Sequence, residues 1–249
     1  KTNIDLLIKR GARIVGPAAG QQACGDVGPG RMEEPPFIAD AAASLFETGH
    51  LAGKRVVITA GPTREALDPV RYISNNSSGK MGYALARAAA DAGAITTLVS
   101  GPVSLTPQDH VRFFGILSAE QMLGQCLELL PECDIFIACA AVADYRPATF
   151  ENQKIKKEPQ EMTLQLVRTL DIVSAVAASA HRPYTVGFAA ESNNLLSYAR
   201  DKMQHKGLDM IIANDISDQS IGFNSDDNEV TVLWRDGQQL LKRANKGSI

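Results

Sequence analysis

The segment Arg71-Tyr72-Ile73-Ser74-Asn75-Asn76-Ser77-Ser78-Gly79-Lys80-Met81-Gly82 puts small hydroxyl residues and glycine just ahead of a predicted helix. That arrangement suits an anion, because backbone N–H groups and the positive end of the helix dipole converge there. Simple N-capping by Ser77 or Ser78 would use the same residues. The segment is not a phosphate-binding G-x-x-x-x-G-K-[ST] loop, and it lacks the G-x-G-x-x-G of dinucleotide folds. Lysines form a second set. Lys154, Lys156 and Lys157 cluster as Lys-Ile-Lys-Lys, whereas Lys202 and Lys206 stand four apart and share one helical face. A solvated surface explains either group on spacing alone. His50, His110, His181 and His205 are isolated, without H-E-x-x-H, and no G-x-S-x-G elbow is present. Cys139 ends an apolar strand and reads as a buried small side chain.

These residues need a scaffold, and the sequence describes one. Val56–Thr59, Ile95–Val99, Asp134–Ala138, Tyr184–Ala189 and Met210–Ala213 are short apolar, β-branched runs, as buried parallel strands require. Helices are expected at about 80–92, from Ser118 with its capping-box Gln121, at 171–180 and at 195–206. The alternation predicts an α/β fold: a Rossmann-like, doubly wound parallel sheet with helices on both faces. A C-terminal antiparallel hairpin is expected over 229–241, turning at Arg235-Asp236-Gly237. In such sheets ligands bind beyond the carboxyl ends of the strands. Those ends carry Thr59-Ala60-Gly61-Pro62-Thr63-Arg64, Cys139 to Tyr145, Glu191-Ser192-Asn193-Asn194, and Asn214-Asp215. Recurrence of polar and small residues at one rim favours a ligand site over ordinary loop chemistry.

Composition narrows the classes. Of 249 residues, 25 are Lys or Arg and 28 are Asp or Glu, a net charge of −3. That balance argues against nucleic acid as partner, so an anionic ligand must be held by a few placed cations. The 4 cysteines form no C-x-x-C pair or zinc set, and a cytoplasmic, reducing location is the expectation. The longest apolar run, Ile135 to Ala143, is too short to span a bilayer, and no signal-peptide pattern opens the chain. Residues 1–36 are rich in glycine and loop residues, 37–52 include a short linker helix from about Ile38 to Thr48, and 53–249 hold the regular domain. The polar, lysine-bearing 147–160 segment reads as a flap.

The segments Gly53 to Gly82, Ala140 to Arg146, Lys154 to Lys157, Gly187 to Glu191 and Ala213 to Asp215 resemble the bacterial phosphopantothenate–cysteine ligase. The likeness extends from about Leu51 to Leu241. In many bacteria that ligase is the C-terminal half of a bifunctional protein, and the N-terminal half is a flavin-dependent phosphopantothenoylcysteine decarboxylase. Ala23-Cys24-Gly25-Asp26 through Gly30-Arg31-Met32 resembles the decarboxylase's substrate clamp, in which Cys24 would be the proton donor of the intact enzyme. The rest of a flavin site is missing, so the resemblance implies a fragment without decarboxylase activity, with FMN belonging to the missing domain. Thr169-Leu170 stand where the family usually has Asn-Pro, the flap is short between Lys157 and Glu161, and the family's C-terminal helix is not visible after Lys242.

The resemblance implies an enzyme of coenzyme A biosynthesis that joins 4′-phosphopantothenate to L-cysteine. CTP would activate the carboxylate as an acyl-cytidylate with loss of pyrophosphate, and the cysteine amine would then displace CMP. Mg²⁺ would be held mainly through phosphates, with its protein ligands unassigned. Asn75 and Lys154 match the family's catalytic positions. CTP would contact Ala138, Cys139, Ala140, Asp144, Lys154, Leu170, Asp171, Ile172, Val173, Phe188, Lys202 and Lys206, with small residues letting the nucleotide approach backbone N–H groups. Phosphopantothenate would contact Asn75, Ala140, Ala141, Gly61, Arg71, Ser77 and Asn214. A homodimer is implied, with the late hairpin as the dimerisation element. A nicotinamide oxidoreductase, the rival on fold, is disfavoured by the missing glycine fingerprint. The other rival is a non-catalytic scaffold for the flavoprotein assembly.

Overall fold

The computed structural model describes residues 2–21, 27–43, 49–156, 161–191, 195–215 and 227–246. The chain divides into two compact units, Lys1–Thr48 and Gly49–Ile249. The first holds helix α1 (Thr2–Lys9), an antiparallel hairpin of β1 (Ala18–Gln21) and β2 (Val27–Arg31), and helix α2 (Pro35–Ala43). None of its described side chains is buried, in keeping with a stretch rich in glycine and loop residues. α1 was not anticipated, and α2 starts earlier than the expected linker helix because Pro35 and Pro36 open its first turn, where proline suits. Cys24 lies outside the described residues.

The second unit is built on one eight-stranded sheet. Its strands are β3 (Arg55–Ala60), β6 (Ile95–Ser100), β7 (Arg112–Gly115), β8 (Ile135–Ala138), β11 (Tyr184–Glu191), β12 (Met210–Asp215), β13 (Asp227–Trp234) and β14 (Gly237–Asn245). Their order is β14-β13-β12-β11-β8-β3-β6-β7. The six from β12 to β7 run parallel, and β13 and β14 are antiparallel. The α/β fold, the helices and the late hairpin are as expected, and the hairpin is longer at both ends. β7 was missed: it is a short edge strand whose Arg112 and Phe113 are exposed, so it lacks the apolar run that marks the buried strands.

Helices cover both faces. β3 is buried on either side from Val56 onward. Its Val57 joins Val99, Phe136, Met122, Cys126, Ile172 and Val176 in one core, the last four brought by α4 (Ala119–Leu129) and α5 (Ile172–Ala177). Val56 and Ile58 point the other way, toward Ala86 and Ala89 of α3 (Lys80–Asp91). Helix α6 (Leu195–His205) packs Ala199 and Met203 on Ala189, Ile211 and Leu233. α4 starts on the expected capping box: Ser118 Oγ accepts from Gln121 N at 3.2 Å, and Gln121 Oε1 accepts from Ser118 N at 3.3 Å. α5 is shorter than expected, ending at Ala177, and Asp171 stands outside it as its N-cap.

From β3 the chain moves to β6 and β7 on one side, then returns to β8 on the other, so β3 and β8 flank the switch point of the sheet. Two small antiparallel pairs sit outside the sheet: β4 (Arg64–Ala66) with β5 (Tyr72–Ser74), and β9 (Tyr145–Pro147) with β10 (Leu166–Arg168). The first pair is tied down where Glu65 Oε1 accepts from Ala119 N at 2.9 Å, at the positive end of α4.

The loop-to-helix junction depends on close packing. A Cβ added at Gly82 would lie 2.5 Å from the Ala60 Cβ, so α3 can press its first turn onto the end of β3 only with glycine there. Gly82→Ala should cost about 1–3 kcal/mol by overpacking. Urea unfolding of the two proteins measures it, and equal midpoints would mean that the helix shifts freely.

Candidate active site at the switch point

The loops leaving β3 and β8 are zipped together. Ala141 N donates to Gly61 O at 2.9 Å, Ala140 N to Thr59 Oγ1 at 3.2 Å, and Ala143 N to the fully buried Thr63 Oγ1 at 3.0 Å. Asn75 Nδ2 reaches across to Val142 O at 3.0 Å. These three amides serve the protein itself; of the residues expected to offer backbone N–H groups to a nucleotide, Ala140 gives its own to Thr59. The small side chains instead leave room. Thr59, Ala138 and Gly187 are paired in one row across three neighbouring strands, and all three face one cavity.

That cavity, about 480 Å³, is lined by Ala138, Ala140, Asp144, Leu170, Asp171, Ile172, Val173, Phe188, Lys202 and Lys206, nearly the whole expected nucleotide set. Arg168, Thr169 and Tyr145 also line it, and of these only Arg168 went unnamed in the sequence. They sit on or beside the three-residue strands β9 and β10, which are too short to show a period. Thr169 Oγ1 donates to Ala143 O at 2.6 Å, which ties this segment to the loop after β8.

A second cavity of about 540 Å³ is lined by residues 75–82, Cys139, Ala140, Ala141, Asn214, Asn228 and Lys246. It contains Asn75, Ser77, Ala140, Ala141 and Asn214 of the expected phosphopantothenate set. Ala140, Val142, Asp144, Phe188 and Lys202 line both cavities, which therefore adjoin. α3 opens onto the second one through Gly79 at φ 74°, with no side-chain cap; Ser77 Oγ accepts from Gly79 N instead, at 3.3 Å. The positive end of the helix thus faces a lined space. Asn214 Oδ1 is buried there with no partner among the described residues, an acceptor placed to meet a donor from a ligand. Lys246, only 9% exposed, and the buried Asn228 had no local signal: the antiparallel pairing of β13 with β14 delivers them.

Three expected residues lie elsewhere. Gly61, at φ 68°, packs against Gly101 O, where any Cβ would sit 2.9 Å away, and lines neither cavity. Arg71 also lines neither; its guanidinium pairs with Asp68 at 2.8 Å and donates to Ile155 O at 2.6 Å. Lys154 is exposed in the flap, outside both linings. Cys139 lines the second cavity rather than the first. Ser192, Asn193, Asn194 and Lys157 lie outside the described residues.

The cations are already engaged. Lys202 Nζ donates to Phe188 O at 2.8 Å, and Lys206 Nζ lies 3.0 Å from Asp171 Oδ2. Partial burial pushes the Asp171 carboxyl upward, but the Ser174 N–H and the Lys206 ammonium outweigh this and hold it below its ordinary 3.8. Burial pushes the Cys139 thiol up to about 12, with Lys246 opposing, so it is no nucleophile near neutral pH. Tyr198 stands four residues before Lys202, the Tyr-x-x-x-Lys spacing of nicotinamide oxidoreductases. It is 52% exposed and lines neither cavity, so it shares no site with that lysine. No group of three His, Cys, Asp or Glu able to hold a metal occurs among the described residues, and no described helix is long and apolar enough to cross a membrane.

Residues 51–249 match the family described as DNA/pantothenate metabolism flavoprotein C-terminal domain. The chain is 53% identical over 250 residues to the coenzyme A biosynthesis bifunctional protein CoaBC of Vibrio cholerae, covering 99% of this chain and 63% of that protein. Against the protein of the same name from Escherichia coli it is 51% identical over 249 residues, covering 98% and 61%. It therefore spans less than two thirds of the length of these relatives. A crystal structure of the C-terminal domain of a CoaBC protein superposes with a TM-score of 0.69 at 39% identity, covering 80% of this chain and 91% of that one.

The Lys206–Asp171 pair gives a direct check on this rim. Lys206→Met should raise the Asp171 pKa toward its ordinary value, read by NMR titration of the carboxyl carbon. An unmoved titration would mean that the ion pair does not form in solution.

Proposed function

This chain belongs to the DNA/pantothenate metabolism flavoprotein C-terminal domain family, and on that premise we propose that its second unit is a CTP-dependent phosphopantothenate–cysteine ligase of coenzyme A synthesis. The observation that carries the reading is the pair of adjoining cavities with a shared wall of Ala140, Val142, Asp144, Phe188 and Lys202. Two reactants held in separate cavities that meet at one wall can be brought to reacting distance. The first cavity suits a nucleotide: Phe188 offers an aromatic face to a base, and Lys202 and Lys206 offer charge to phosphates. The second suits an acid with amide and phosphate groups, given the α3 N-terminus, Lys246 and the unpartnered Asn214 acceptor.

The chemistry needs this division. A carboxylate is a poor electrophile, so the phosphopantothenate carboxylate attacks the α-phosphorus of CTP, the α–β phosphoanhydride bond breaks, and pyrophosphate leaves. Both reactants are anionic, and the lysines ease their approach by neutralising charge. Lys154, on the flap, reaches the triphosphate in this step. Asn75 then serves the acyl-cytidylate: its Nδ2 is held by Val142 O and has a second hydrogen for the acyl oxygen. The cysteine amine attacks the acyl carbon, CMP leaves, and the amide forms. Mg²⁺ would be held mainly by triphosphate oxygens and would supply charge neutralisation on the phosphates. Asp144, which lines both cavities, is the carboxylate that would complete its shell.

The first unit is assigned to the tail of a flavin-dependent decarboxylase, with FMN bound by parts of that domain beyond this chain. A homodimer through the ligase unit completes the reading. Exposed Leu240 on the late hairpin, and exposed Tyr145, Leu166 and Val167 on the β9–β10 ribbon, are apolar surfaces available to it.

Purified protein with Mg²⁺, 4′-phosphopantothenate and CTP should release pyrophosphate, driven on by cysteine, and ATP in place of CTP should support much less. No release from a folded sample with either nucleotide would sink the proposal. Lys154→Gln should slow release by about 10²–10³-fold, as loss of a placed charge donor does. Asn75→Asp should let the acyl-cytidylate accumulate, detected by mass spectrometry after acid quench; wild-type levels of it would remove Asn75 from the second step.

A further inference from the structure

The flap that carries Lys154 is fastened to the rest of the unit by the turn at 67–71, and the fastening is built from a buried charge. The Asp68 side chain is 0% exposed. Its Oδ1 accepts from Val70 N at 2.8 Å and Arg71 N at 2.7 Å, closing its own turn. Its Oδ2 accepts from Arg71 Nε at 3.0 Å and, from the flap, Ile155 N at 3.1 Å. Arg71 Nη2 donates to Ile155 O at 2.6 Å. The peptide groups on both sides of the Ile155 Cα are therefore held by one ion pair, next to Lys154 in the chain. A third bond, Glu151 N to Leu67 O at 2.9 Å, ties the flap on the other side of Lys154.

Burial raises the Asp68 carboxyl pKa, but the N–H groups of Val70, Ile155 and Arg71 together with the Arg71 guanidinium more than reverse this and hold it well below the usual carboxylate range. A carboxylate buried without those donors would be costly, so the flap and turn complete each other. The same turn leads straight through β5 to Asn75. One short segment therefore fixes both groups given chemical roles above, although their side chains come from residues far apart in sequence.

We infer that Asp68 and Arg71 form a clamp that positions Lys154 by docking the flap backbone at Ile155, and that neither residue contacts substrate. Arg71 thereby takes a positioning role in place of the phosphopantothenate contact expected from resemblance. The inference rests on the ligase reading for its kinetic test only; the docking itself is tested without it.

Asp68→Asn keeps an oxygen for the turn amides and replaces the flap-facing acceptor with an NH₂ group that can accept neither Ile155 N–H nor the guanidinium. Arg71→Met, at a partly exposed side chain, removes the other arm and serves if the first variant fails to fold. In either variant, trypsin should cut after Lys154 and Lys156 about tenfold faster or more, the loss expected when a hydrogen bond to a charged group is removed, with other cleavages unchanged. Pyrophosphate release should fall by a similar factor, about tenfold. In a Lys154→Gln background Asp68→Asn should cause no further fall, because the clamp acts through that lysine. Unchanged cleavage after these lysines in a folded variant overturns the clamp. So does an equal fall in the wild-type and Lys154→Gln backgrounds. If the wild type releases no pyrophosphate, the ligase reading fails, and the cleavage rates alone decide on the clamp.

Discussion

The rim of this sheet depends on the two loops at the switch point being bonded to one another. In an open α/β sheet those loops diverge and leave a crevice. Here Thr59 and Thr63, both buried, commit their hydroxyl oxygens to Ala140 N–H and Ala143 N–H, and Gly61 O takes Ala141 N–H. Each such bond contributes only about 1 kcal/mol net. Their geometric effect is larger. They extend the parallel pairing beyond the strands, through the isolated Pro62–Ala141 bridge, and hold the 140–144 segment as a wall common to two cavities. Asn75 and Thr169 then bond to the carbonyls of that same wall, at Val142 and Ala143.

This bonding sets the division of labour along the chain. The strand interiors are apolar on both faces and are covered by α3 on one side and by α4 and α5 on the other. The chemistry is carried by the loops at the strand ends, where the backbone is free to be irregular. α3 is drawn close by its small stripe of Gly82, Ala86 and Ala89, which brings its N-terminus to the rim rather than leaving it a side chain's width away.

The buried strands were legible because burial on both faces demands apolar β-branched runs, and the helices because of capping and period. Edge strand β7 was not, since half of an edge strand faces water and Arg112 there breaks the run. The ribbons β4–β5 and β9–β10 have strands of three residues, shorter than any period that could announce them. At the site, Lys202 and Lys206 could be placed on one face from spacing, but only resemblance separated them from a solvated pair. Asn228 and Lys246 owe their place to an antiparallel register set elsewhere. Arg71 was expected from resemblance to contact phosphopantothenate; in this structure its guanidinium pairs with Asp68, three residues earlier, and nothing in the loop's residue types announced that partner.

The engagement of the lysines has an electrostatic consequence. An anion entering the first cavity does not meet bare ammonium groups: Lys202 already gives one of its three N–H donors to the Phe188 carbonyl, and Lys206 is paired with the Asp171 carboxylate. Binding then shares or exchanges acceptors, and its free energy is a difference between two arrangements of pairings. A polyanion gains more from these ammonium groups than a neutral visitor of the same shape does. The internal partners thus make the cavity's affinity depend on ligand charge, apart from any steric fit.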